Sequence, residues 1–146
     1  MENLEFIKKD EELLAIILYN NFHLDGVNFF TPEDFPQQVG FISKKTGEII
    51  GAHTHKVVKR EISLTQEVLI IRKGKIKVDF YDPKNNYFDS RILSSGDVIS
   101  LTGEGGHGYR VLEDVEMVEI KQGPYLGKDD KIRFRDINKQ NHDSGK

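Results

Sequence analysis

Isoleucine and valine dominate the apolar residues of this chain, while alanine is almost missing: 15 Ile and 10 Val stand against 2 Ala. Alanine is the best helix former, whereas β-branched side chains lose rotamer freedom in helices and pack well on a pleated, half-buried surface. The skew predicts an all-β domain and argues against a helix bundle. At 146 residues the chain is one domain long and can bury a real core without staples. Cysteine is absent, which removes disulfides, thiolate metal ligands and cysteine nucleophiles.

Charge narrows the partners. The balance of 24 acidic and 21 basic residues leaves −3, too even for a nucleic-acid or membrane-surface grip based on bulk charge. The longest apolar run, Leu13–Tyr19, is far shorter than the 18 or so residues a spanning helix needs. The first residues lack the basic n-region of a signal peptide, so a cytoplasmic protein is expected.

Turn signals divide the chain into short strands. Residues 1–12 are polar and charged, and Glu11–Phe22 suits a helix start or a strand equally. From residue 37 the pattern is cleaner. Val39–Ser43 and Glu48–His55 read as strands joined by a hairpin at Lys45-Thr46-Gly47, and Val68–Ile71 and Ile76–Tyr81 as a second hairpin around Gly74. A turn at Asp82–Asn86 follows, then strands at Arg91–Leu93, Val98–Leu101, Tyr109–Leu112 and Val115–Lys121. Residues 1–36 read as an N-terminal extension packing on the barrel or on a partner subunit, 37–134 as the barrel, and 135–146 as a polar, frayed tail.

The chemistry gathers on histidine. On an extended strand the period of 2 aims His53 and His55 at one face, and Gly51 leaves room beside them. His107 follows a glycine-rich turn and Glu67 opens another strand. Converging inside a barrel, these four side chains would hold one divalent ion and leave positions open for water or substrate. Taken singly, each is equally a half-exposed strand or loop residue. His23 and His142 have no such partners.

The glycine spacing resembles that of the cupin family. Gly47, five residues and His53-Thr54-His55 match the start of its first motif, and Glu67, six residues and Gly74 match its end. Gly96, five residues, Thr102-Gly103-Glu104, two residues and His107 keep the spacing of the second motif. Thr102, Glu104 and Val111 stand where that motif has Pro, Gly and Asn, and eleven residues rather than three or four separate His55 from Glu67. The long interval predicts a lengthened strand or a loop over the site at Lys56–Thr65, and it leaves Glu61 as the alternative carboxylate to Glu67. The resemblance covers residues 37–121. It implies a double-stranded β-helix, or jelly-roll barrel, holding one Zn, Mn, Fe or Ni through His53, His55, Glu67 and His107.

Three readings of function follow from the resemblance. The first is a metal-dependent isomerase, epimerase or oxygenase acting on a small carbohydrate-like, carboxylate or phosphate ligand, as in surface-polysaccharide and nucleotide-sugar metabolism. The second is a non-catalytic binding module. The third is a metal-free sugar ketoisomerase in which His107 and Tyr109, in phase on one strand, move protons. Lys59, Arg60 and Glu104, with Lys56, are either solvated charges or a substrate-holding rim. Gly103–Gly108 fits G-x-G-x-x-G, but strand rather than helix follows it, so no dinucleotide site is expected. A homodimer is expected, paired through an edge strand or through the apolar stretch Leu13–Phe22.

Overall fold

The computed structural model describes residues 1–135 and Ile137. The remaining tail, with His142, lies outside the described residues. The structure is nearly all β. Eight strands are β1 Leu4–Lys9, β2 Glu12–Leu18, β3 Gly26–Phe29, β4 Gly40–Ser43, β5 Glu67–Tyr81, β6 Tyr87–Ser94, β7 Val98–Leu101 and β8 Gly106–Lys121. The main sheet runs β1-β2-β7-β5-β6, and β8 pairs along the opposite edge of β5. A short 3-10 turn spans Gly127–Asp130.

β5 organises the sheet. It is one strand of 15 residues rather than two strands of a hairpin. Its first part, Glu67–Ile70, pairs with β7, and its second part, Lys75–Tyr81, pairs with β6. Between them the register against β8 shifts three times from Ile71 to Ile76. Gly74 sits in this irregularity at φ +79°, where the backbone of Asp114 on β8 comes so close that a Cβ would collide with its carbonyl. The left-handed residue expected to turn a hairpin therefore bends a strand, and β8 stays paired on both sides of the bend. For the same reason Tyr109–Leu112 and Val115–Lys121 are parts of one strand, β8, and not two.

The inner face of the curled sheet carries the main core. Leu69, Ile71, Ile76, Val78 and Phe80 of β5 pack there with Ile17, Leu93, Ile99 and Leu101, each from another strand. Curling goes far enough for the two ends of the strand order to meet. On β6, the Arg91 Nε and Nη2 donate to Glu5 Oε1 of β1 at 2.9 and 2.8 Å, Tyr19 OH donates to Glu5 Oε2 at 2.6 Å, and Asp89 takes Arg91 Nη1 at 2.7 Å. Lys9 of β1 also lies over the Phe88 ring of β6, 5.7 Å from its centre. The result is a half-barrel clasped by side chains where backbone pairing is absent.

The N-terminal segment does more than pack from outside. β1 and β2 are members of the main sheet, with Ile16, Ile17 and Leu18 buried, so Leu13–Phe22 is used within its own chain. Leu4, Ile16, Leu18 and Phe22 form a second apolar cluster on the outer face. The β3–β4 pair covers it, with Phe22 edge-on to Phe30 and Phe41 at 5.3 and 5.2 Å.

Covering that cluster corrects the expected hairpin at Gly47. Gly47 does take φ +89° in a turn closed by Glu48 N to Lys45 O. β4, however, pairs back to β3, and Glu48–His55 is not a strand. Every residue from Lys44 to Thr65 is exposed.

Two measurements check this description. Gly74→Ala should destabilise the domain by about 2 kcal/mol or more, because an L side chain is strained at this φ and has no space. Arg91→Met should cost about 1–2 kcal/mol in denaturant unfolding at neutral pH, the range for half-buried charge-assisted hydrogen bonds. Arg91 holds the Glu5 carboxyl below its ordinary value of 4.5. The clasp therefore contributes fully above that pH and fades as pH falls through the depressed value, so wild type and Arg91→Met should converge in stability in acid.

Candidate functional site

Glu67 opens β5 and His107 is the second residue of β8, paired with Phe80 at the far end of β5. In a straight strand Glu67 and Phe80 would lie about 43 Å apart. The bend at Gly74 and the curl of the ribbon fold that distance away, and His107 Nε2 lies 3.1 Å from Glu67 Oε2. Both side chains face inward, since they share the face of Leu69, Val78 and Phe80. Glu67 is 6% exposed. The hydrogen bond from His107 holds its carboxyl below the usual range against the opposing effect of burial. A buried, ionised carboxylate fixing one imidazole nitrogen is the arrangement that orients a histidine for binding or proton transfer.

Tyr109 stands on the same face, its ring centre 5.3 Å from that of His107. Its hydroxyl is buried, and among the described residues it has no hydrogen-bond partner. Burial, with the charges of Glu67 and Glu119, pushes its pKa up, so the phenol stays protonated and is a donor without an acceptor. The glycine-rich turn before His107 serves close approach: at Gly105 a Cβ would strike the Tyr81 carbonyl.

An open cavity of about 540 Å³ lies over this pair, within the size of small-molecule sites. Glu67, His107, Thr65, Glu104, Lys131 and Phe134 contribute to its walls. Glu104, expected at a substrate rim, lines it. Burial and the neighbouring Glu12 carboxyl raise the Glu104 pKa. Lys131 and Phe134 were missed in the sequence, because residues after Lys121 carry no long strand pattern. The alternation Ile132, Phe134 against Lys131, Arg133, Arg135 was the one available signal.

The other expected residues lie elsewhere. His53 and His55 keep together, ring centres 5.2 Å apart, with His53 Nδ1 2.9 Å from Gly51 O. They stand on the exposed segment with Lys56, Lys59, Arg60 and Glu61. The structure thus joins Glu67 to His107 and leaves the histidine pair apart from them. Among the described residues no three His, Asp or Glu side chains are grouped to hold a metal ion. His23 is exposed beside Asp25 at 3.5 Å.

No protein-family model, curated protein or solved structure matches this chain. Among the described residues no helix is long and apolar enough to cross a membrane.

The orphan hydroxyl separates stability from function. Tyr109→Phe removes a buried polar group with no partner, so thermal stability should be unchanged or higher by up to about 1 kcal/mol. A fall in stability as large as a lost buried hydrogen bond, about 1–3 kcal/mol, would show that the hydroxyl is already satisfied inside the protein.

Proposed function

We propose that the chain is a cupin-type protein that binds a small polar ligand in the cavity over Glu67 and His107, and that one divalent metal completes the site. The observation that carries this reading is the His107–Glu67 contact at the cavity wall, with the Tyr109 ring packed beside His107. The bent β5–β8 ribbon supports a double-stranded β-helix, since it folds one long antiparallel pair back over a shared core.

The chemistry of the two joined donors suits the group. Imidazole and carboxylate are the ligands of Zn, Mn, Fe and Ni sites with open positions. Glu67 and His107 are two such donors at contact distance; His53 and His55, which would supply the other two, stand apart from them in the single chain. When bound, the ion would act as a Lewis acid toward a ligand oxygen. Glu67 orients His107. Tyr109, buried outside the cavity wall, keeps its phenol protonated and packs its ring 5.3 Å from that of His107. Glu104 and Lys131 at the wall provide one acidic and one basic group to a carbohydrate-like, carboxylate or phosphate ligand. Isomerisation or epimerisation fits such a set, and so does binding without turnover.

The Tyr109 hydroxyl favours a second reading, in which His107 and Tyr109 move protons on a sugar without a metal. Elemental analysis of untreated protein, followed by melting scans with Zn, Mn, Fe and Ni, separates the two. The metal reading predicts bound metal and a stabilisation of about 2.7 kcal/mol when free metal reaches 100 times its Kd. A metal-free protein with an unmoved melting temperature would sink it. Sugar isomerisation surviving chelation would establish the proton-transfer reading in its place.

A further inference from the structure

The outer edge of β8 and the segment before β5 are each incomplete. Among the described residues no strand pairs with the edge of β8 that faces away from β5. β8 is 16 residues long, and Val111, Leu112, Met117, Val118 and Ile120 on it are exposed. A long, apolar, unpaired edge is a template for another strand. The segment from Lys44 to Thr65 is exposed throughout, and it too is apolar: Val57 is 103% exposed, Ile49 89%, Ile50 60% and Val58 56%. Its ends are nonetheless tied down. Ser43 is paired in β4, and at the other end Gln66 donates its N–H to Gln122 and accepts from Gln37 N. An apolar arm fixed at both ends, with no residue buried against its own chain, has its covering surface elsewhere.

We infer that β8 takes up the segment around Ile49–Ile62 of a second copy of this chain, as an added strand, and that the exchange is reciprocal. Charge favours the match. β8 carries Glu113, Asp114, Glu116 and Glu119 against Arg110 and Lys121; Glu113, Glu116 and Glu119 lie beside Lys75, Lys73 and Lys121 of their own chain but stay 58%, 68% and 43% exposed, and the arm carries Lys56, Lys59 and Arg60 against Glu61. Two such contacts related by a twofold axis close on themselves and cover the outer edge of β8 in both copies. The docked strand lies about 4.8 Å from β8. His53 and His55, two residues apart, then share one face and stand beside inward-facing His107. Each site thus takes Glu67, His107 and Tyr109 from one chain and His53 and His55 from its partner. The exchange itself rests on packing and charge. The delivery of the two histidines rests on the metal reading above.

The chain lacks cysteine, so engineered thiols report cleanly. Light scattering should give twice 16.8 kDa for the wild type. Val57→Cys and Val111→Cys are substitutions at exposed positions. Made in two differently tagged, co-expressed chains, they should be joined by a short bismaleimide into a mixed dimer. A monomeric mass, cross-links only within a chain carrying both thiols, or no cross-link in a protein of dimer mass would overturn the exchange.

Zinc then tests the delivery. Chains with His53→Ala and His55→Ala, and chains with His107→Ala, should each bind no zinc as homodimers. Their co-expressed mixed dimer should hold one zinc, because one of its two sites receives intact residues from both chains. Cross-linking without recovered zinc would overturn the delivery of the histidines and leave the exchange standing.

Discussion

The bend in the β5–β8 ribbon is the constraint on which the rest depends. Two paired strands of 15 and 16 residues are too long to cover a core this small if straight. Folded at Gly74, the same ribbon presents Leu69 and Ile71 on one side of the bend and Ile76, Val78 and Phe80 on the other to a single apolar interior. The bend also brings Glu67, at the start of β5, to His107, which pairs with its far end. Fold and site are therefore one consequence of a residue that only glycine suits, opposite the Asp114 backbone.

Curling creates a second requirement. A sheet that closes on itself without a full ladder must be fastened by side chains, and the Arg91–Glu5–Tyr19 cluster does this between β6 and β1. The site lies on the same inner face and is polar there because the sheet remains open beyond β8. Glu67 and His107 sit where core packing gives way to the cavity, so a buried carboxylate keeps polar chemistry available without being isolated deep inside.

Much of this was legible in the residues. The Ile and Val excess identified an all-β chain, and Val98–Leu101 is a strand with the expected bounds. The Asp82–Asn86 turn is closed by Asp82, whose side chain accepts Lys84 N and Asn86 N. Motif spacing singled out Glu67 and His107. The misreadings share a cause. Gly74 marks a break in regular pairing whether the chain reverses or bends, and the flanking residues alternate identically in both cases. Leu4–Lys9 looked polar, although its alternation places Ile7 in the core and Glu5 on the clasp. Glu48–His55 has strand-like residues, but a strand needs a partner, and pairing lies outside the reach of local pattern.

Among the described residues, the backbone amides of Ile49–Val58 have no strand to bond to, and the outer edge of β8 is equally unpaired. Amide hydrogen exchange followed by mass spectrometry, on wild-type protein at high and low concentration, reads both segments at once. At high concentration peptides covering 49–58 should be strongly protected and those covering 106–120 almost fully so; on dilution 49–58 should lose its protection, while 106–120 keeps the amides bonded to β5 and loses only those on the outer edge. Fast exchange of 49–58 at every concentration, with β5 fully protected, would contradict the strand exchange.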